Sequence, residues 1–315
     1  MIKTQNLTKH YKNFVALKDL TLEIQKGHIF GYIGPNGAGK TTTIRILCGL
    51  LKQTSGKAWI SGVEVTPGNL QEIKRLVGYL PDYFGVYDQM SVWEFLDFFA
   101  AAYKISTKIR RKRIQDVLEL TEAEYMIDYQ MNSLSRGMRQ RVGIAKTLLH
   151  DPRVIILDEP TSGLDPQARI EVRELIAQLR KLGKTILLSS HILHELSMVC
   201  DQIGIIDRGV LLVSGEVEDV MRKYQQHLVI LIEVTGDAQK ARDLLQAQKN
   251  VEKVEVTGNV LHVAFKGVET ELPDLLKTLV TAGIPVVWFQ EVQADLEQLF
   301  LKVTKPAKVQ EPTHV

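Results

Sequence analysis

Gly34-Pro35-Asn36-Gly37-Ala38-Gly39-Lys40-Thr41 is the segment that most limits how this chain can fold. Glycines at that spacing let the backbone curl until successive N–H groups converge, and the Lys and Thr that follow add a cation and a hydroxyl. The loop follows a short apolar run, Ile29 to Ile33, and precedes Thr42 to Leu51, which reads as helix. The positive end of the helix beginning near Lys40 therefore faces the same point. This is a cradle for phosphate oxygens. Residues Gly34 to Thr42 are expected to hold a nucleoside triphosphate, with Lys40 on its β- and γ-phosphates and Thr41 placed for Mg²⁺.

The rest of the chain supplies a sheet for that loop. Val154 to Leu157, Thr185 to Leu188 and Ile203 to Ile206 are further apolar runs. An amphipathic helix ending at Gly183 lies between the first two. Apolar strands alternating with helices predict an α/β core around a parallel, doubly covered sheet. From Ser91 to about Leu149 the pattern is helical, and Ser91 with Glu94 forms a capping-box signature. After about residue 222 the order becomes β-α-β-β-α-β plus a helix, a ferredoxin-like α+β pattern. The predicted domains are residues 1–221, with a helical subdomain at about 83–150, and residues 222–305. The tail, 306–315, is expected to be disordered.

Two more segments carry chemistry. Asp158 ends an apolar strand, so its carboxylate should emerge at the sheet's carboxyl edge and hold Mg²⁺ through water, while Glu159 polarises an attacking water. Leu134-Ser135-Arg136-Gly137-Met138 reads as a helix start capped by Ser135, which makes a second phosphate site. A chain with one complete phosphate loop has no evident need of a second, so this site is expected to serve the nucleotide of another copy.

Taken in order, these motifs resemble the ATP-binding-cassette (ABC) ATPases over about residues 1–220. The family signature is Leu-Ser-Gly-Gly-Gln. Leu134, Ser135 and Gly137 match it; Arg136 and Met138 depart. The resemblance implies that Tyr11 stacks on adenine and that His191 contacts the γ-phosphate, joining Glu159 and Lys40 as catalytic residues. It implies that Ser162-Gly163-Leu164-Asp165 crosses a dimer interface, where Asp165 and Ser135 lie. Asp82 stands where the family has glutamine, so it becomes a third metal candidate beside Thr41 and Asp158. ATP and Mg²⁺ are the implied ligands, sandwiched head to tail between two copies. The segment Asp295-Leu296-Glu297-Gln298-Leu299-Phe300-Leu301 resembles the last helix of a subgroup whose ATPase and membrane permease are separate proteins, many of them bacterial exporters. A soluble ABC ATPase acting on ribosomes or DNA is the alternative, although those usually carry two cassettes or long insertions. A GTPase is disfavoured, since no Asn-Lys-x-Asp motif occurs.

Composition narrows the partners. Lys and Arg number 39 against 37 Asp and Glu, a net +2 that gives no whole-chain case for nucleic acid, and direct nucleic-acid binding is not expected. The two cysteines, Cys48 and Cys200, lack metal-ligand spacing and fit a reducing compartment. No run approaches the roughly 18 apolar residues of a membrane span. The expectation is a cytoplasmic protein held peripherally on the inner face of the membrane by its permease. Tyr83-Phe84-Gly85-Val86-Tyr87 and Trp93 are candidates for docking that partner, whereas Phe95, Phe98 and Phe99 fit the helical subdomain's own core by spacing. Lys108 to Arg113 reads as a solvated helix face.

Overall fold

The computed structural model describes residues 1–85, 87, 89–224, 228–292, 299–300 and 303–304. Val86, the tail, and all of segment 295–301 except Leu299 and Phe300 lie outside the described residues. The chain divides into two units, Met1–Val217 and Glu218–Val315.

In the first unit the elements run β1 (Ile2–Tyr11), β2 (Phe14–Ile24), β3 (Ile29–Ile33), α1 (Lys40–Leu47), β4 (Ser55–Ile60), β5 (Val63–Glu64), α2 (Leu70–Leu76) and β6 (Val77–Leu80). Helices α3 (Val92–Ala102), α4 (Thr107–Leu120) and α5 (Arg136–Leu148) follow. Then come β7 (Val154–Asp158), α6 (Pro166–Lys181), β8 (Thr185–Ser190), α7 (Leu193–Ser197), β9 (Gln202–Asp207) and β10 (Val210–Glu216). Six strands form one sheet in the order β10-β9-β3-β8-β7-β6, parallel except for β10. Every residue of β3, β7 and β8 is buried, which is why these strands read as unbroken apolar runs. A second sheet, β2-β1-β4-β5, is antiparallel and lays its inward residues, among them Leu7, Leu20, Ile24 and Ile60, on Phe30, Ile44 and Leu187.

The parallel register sets the site. Ile33 pairs with Ser190 and Asp158 with Ser189, so the carboxyl ends of three central strands finish side by side. Helix α1 begins at Lys40 and ends at Leu47, earlier than the apolar pattern through Leu51 predicts. Leu50 and Leu51 instead fold back and donate to Arg45 O at 2.8 and 3.1 Å, closing the helix end.

The capping box is present: Glu94 N–H donates to Ser91 Oγ at 3.2 Å and Ser91 N–H to Glu94 Oε2 at 2.8 Å. The basic run is only partly a solvated face. Lys108, Arg111 and Lys112 are exposed. Arg110 pairs with Asp97 at 3.3 Å, and Arg113 donates to Leu148 O at 2.7 Å and Leu149 O at 2.8 Å. A cation on the last carbonyls of α5 satisfies orphan acceptors and meets the negative helix end. Arg113→Ala is therefore expected to cost about 1 kcal/mol, read from the urea-unfolding midpoint at unchanged slope.

In the second unit, α8 (Val217–Tyr224) crosses the division and is followed by β11 (Leu228–Val234), α9 (Ala238–Gln246), β12 (Val251–Thr257), β13 (Val260–Phe265), α10 (Leu272–Thr281) and β14 (Val286–Val292). The sheet order β12-β13-β11-β14, antiparallel throughout, is that of two interleaved split βαβ units, as the ferredoxin-like pattern requires. Ile230, Ile232, Leu261, Val263 and Phe265 pack under Leu245, Leu275 and Leu279 in a core of its own.

Candidate nucleotide-binding and hydrolysis site

The phosphate loop owes its shape to Gly39, which takes φ +111 and whose missing Cβ would otherwise lie 2.8 Å from Ala16 O and from Leu17 Cδ2. Gly39 supplies no side-chain cap to α1. The first N–H groups of that helix, from Lys40, Thr41 and Thr42, have no intrahelical acceptors, so the loop ends in donors facing one place. Lys40 is only 6% exposed. Its Nζ donates to Gly34 O at 2.6 Å and lies 3.3 Å from Glu159 Oε1.

At the end of β7 one neighbouring side chain holds the Asp158 carboxylate and the Glu159 backbone. Ser189 Oγ donates to Asp158 Oδ1 at 2.5 Å and accepts from Glu159 N–H at 3.0 Å. Asp158 is buried, and that burial pushes its carboxyl above the usual carboxylate range, against the pull of the Ser189 and Thr41 hydroxyls. Glu159 occupies the left-handed region at φ +52. Its Oε2 lies 2.8 Å from His191 Nδ1, while its Oε1 is buried without a hydrogen bond among the described residues.

These donors fit a small hard cation. A buried carboxylate whose charge is poorly solvated, a neighbouring threonine hydroxyl and the exposed Asp82 on the same wall are all oxygen ligands. No group of three His, Cys, Asp or Glu among the described residues could hold a metal unaided. One or two carboxylates beside a hydroxyl are the protein's share of a Mg²⁺ shell, which keeps waters and takes its other ligands from substrate phosphates. Tyr11, Pro35, Asn36, Gly37, Gly39, Lys40, Thr41, Thr42, Asp82, Asp158 and Glu159 line a single cleft of about 310 Å³, together with Phe14 and Ala16.

Both units resemble known proteins. Residues 17–162 match the ABC transporter family, and residues 215–304 match the family described as ATP-binding protein DrrA1-3-like, C-terminal domain. The chain is 36% identical to the uncharacterized ABC transporter ATP-binding protein sll0415 of Synechocystis sp., over 89% of this chain and 78% of that one. The chain belongs to the ABC ATPases. It is also 32% identical to the Nod factor export ATP-binding protein I of Ralstonia nicotianae, over 96% of this chain and 94% of that protein. Among solved structures it resembles the dimeric post-hydrolysis state of the cassette MJ0796 bound to ADP and Pi, with a TM-score of 0.63 and 28% identity over 69% of this chain and 99% of that one. This ABC ATPase is thus the ATP-binding, ATP-hydrolysing subunit of a transporter.

The ABC ATPase does not gather all its expected residues into the cleft. Gly34 and Ala38 lie beneath the loop: Ala38 is 2% exposed, and a Cβ on Gly34 would meet Ile206 O at 2.4 Å. Ser135 caps α5 by accepting from Met138 N–H at 3.2 Å, and Gly137 abuts Ala168. Asp165 caps α6 by accepting from Ala168 N–H at 2.9 Å, with Pro166 at the first helical position. None of Ser135, Gly137 and Asp165 lines the cleft of their own chain. His191 reaches it through Glu159.

Phe14 went unnoticed in the sequence. It is 59% exposed and pairs with Tyr11 across the β1–β2 turn, so two rings stand at the cleft's rim. The signal was available as two aromatics flanking Lys12-Asn13. Lys9 Nζ also lies 5.0 Å from the Tyr11 ring centre. Ser189, which holds the Asp158 carboxylate and the Glu159 backbone, was legible only as the polar end of an apolar run.

The aromatic patch needs correction in two places. Phe95 is fully buried as expected, but Phe98 is 44% exposed and sets its ring edge-on to Tyr87 at 5.5 Å. Phe84, expected on the docking surface, is half-buried, with its ring against Gly143 of α5. Beside it Lys146, also unremarked in the sequence, is buried with Nζ 5.4 Å from the Phe84 ring centre and 5.3 Å from that of Phe99. Burial lowers this ammonium to about 8. Tyr83, at 83% exposure, remains outward.

Proposed function

We propose that the cleft between the phosphate loop and β7 binds Mg-ATP, and that its hydrolysis drives an exporter through a separate permease. The observation that carries the site assignment is the convergence of Lys40, Thr41, Asp158 and Glu159, from α1 and the end of β7, on one cleft rimmed by Tyr11 and Phe14. In this reading the rings take the adenine face. The α1 N–H groups and Lys40 hold the β- and γ-phosphates.

Thr41 and Asp158, with Asp82 alongside, would hold Mg²⁺, which when bound neutralises charge on the phosphoryl oxygens. Lys40 must leave Gly34 O and turn toward phosphate, which also releases it from Glu159 Oε1. Glu159 then accepts a proton from the attacking water at that oxygen. His191 holds the other oxygen and so fixes the carboxylate's orientation.

Two copies would close head to tail, each offering Ser135, Gly137 and Asp165 to the other's nucleotide. The separation of these residues from their own cleft supports that reading, as does the dimeric MJ0796 cassette. Export is supported by the Ralstonia relative, a Nod factor export ATP-binding protein. In this reading the permease is a second protein and the ATPase sits on its cytoplasmic side; among the described residues no helix is long and apolar enough to cross a membrane. Tyr83, Tyr87 and Phe98 are its contact candidates. Residues 1–221 act as the ATPase domain and 222–305 as an accessory domain.

The test is purification of tagged Glu159→Gln protein with ATP from detergent-solubilised membranes of the native host, followed by mass spectrometry. A stoichiometric multi-span protein is the expected companion. Ribosomal or DNA-associated proteins without one would replace the transporter coupling by the soluble reading.

A further inference from the structure

The signature segment departs from its family at Arg136, and the structure gives that departure a contact. Arg136 is the first residue of α5, directly after the Ser135 cap. Its guanidinium lies against Gly163, where an added Cβ would stand 2.2 Å from Nη1 and 2.5 Å from Cζ. Gly163, at φ +66, belongs to the loop from Glu159 to Asp165.

That loop begins under strain. A non-glycine residue at φ +52, as Glu159 is, keeps that conformation only where its surroundings over-determine it. At one end Glu159 N–H is held by Ser189, and at the other Asp165 caps α6. Between them, Ser162 N–H donates to Glu159 O at 3.1 Å, and the next residue is the one under Arg136. Farther along the same two helices, a Cβ on Gly137 would lie 3.0 Å from Ala168 Cβ, and Arg141 Nη2 meets Glu171 Oε2 at 2.5 Å. Helix α5 and the segment after Glu159 are thus joined at three points, and the partner of Arg136, Gly163, is the one nearest Glu159 in sequence.

We infer that Arg136 is a positioning residue for Glu159, holding the backbone of the general base, through Gly163 and the Ser162 turn, in register with the helix that carries Ser135. The inference rests on Glu159 being that base. A shift of α5 would then be felt at Glu159, so whatever occupies the Ser135 end of the helix bears on hydrolysis.

The test is steady-state Mg-ATP turnover of the full chain. Arg136→Ala is expected to lower kcat about tenfold with KM nearly unchanged, as loss of alignment at the reacting atoms does. Arg136→Lys, which keeps the stem and the cation, should recover most of that loss. Parent-like kcat in Arg136→Ala, a rise in KM alone, or no recovery in Arg136→Lys would each overturn the inference. Glu159→Gln is measured beside them. If it keeps turning over, the base assignment falls and this inference with it; if it is inactive while Arg136→Ala is parent-like, the inference falls alone.

Discussion

Glu159→Gln is expected to slow phosphate release at saturating Mg-ATP by about 100-fold or more, the usual contribution of a positioned general base. The amide keeps the shape of the carboxylate, and the backbone bonds to Ser189 do not depend on the side chain. An acceptor oxygen can still meet His191 Nδ1. What disappears is basicity at the oxygen facing Lys40 and the charge that draws Lys40 away from an incoming phosphate. ATP should therefore still bind and persist, and sedimentation should show a dimer that forms with Mg-ATP and disperses on its removal. Turnover within tenfold of the parent would remove Glu159 from the base role. A monomer at saturating Mg-ATP would leave the chemistry intact and remove the head-to-tail arrangement.

Lys40→Met is expected to weaken nucleotide binding by about 10- to 100-fold, the worth of a charge-assisted hydrogen bond to phosphate in a buried site. Titration calorimetry with ADP and with ATP separates the loop's contribution from catalysis, because it needs no turnover. The apolar stem fills the space left by a side chain that is only 6% exposed, so the loop itself should persist. Glu159 Oε1, without a hydrogen bond among the described residues, would lose the ammonium 3.3 Å away. A thermal melt without nucleotide shows whether that loss disturbs the fold. Unchanged ADP and ATP affinities would contradict the assignment of Lys40 to phosphate.

Sequence and structure agree best where chemistry and backbone geometry impose the same residue. The phosphate loop was readable because its glycines and Lys40 are required by one local turn. Asp158 was readable because an apolar run ends on a carboxylate. The family assignment then followed from motif order. Less legible was whatever depends on residues distant in sequence. Ser189 gains its role only when β8 pairs with β7, and Phe14 becomes a wall of the cleft only once the hairpin lays it beside the loop. Helical spacing alone placed Phe98 in the core, but Phe95 takes the interior and Phe98 lies a turn edge away, against Tyr87. The basic run looked uniform because charge pattern says nothing of which arginine can reach a helix end. Arg113 can, Arg110 instead meets Asp97 within α3, and Lys108, Arg111 and Lys112 stay exposed.

The pairing of Ile29 with Ile186 and of Asp158 with Ser189 has a consequence for the order in which the molecule is made. A chain still growing on the ribosome carries the whole glycine loop long before it carries the strand that lies beside β3. Until β8 emerges, β3 and β7 lack the strand that joins them in the sheet, Glu159 lacks Ser189, and the loop has no carboxylate wall opposite it. Closing so wide a span is entropically slow and is rewarded only when it is complete. Nucleotide in the cell can therefore favour only the finished first unit, and it then adds its binding free energy to the stability of a sheet whose last central strand arrives late.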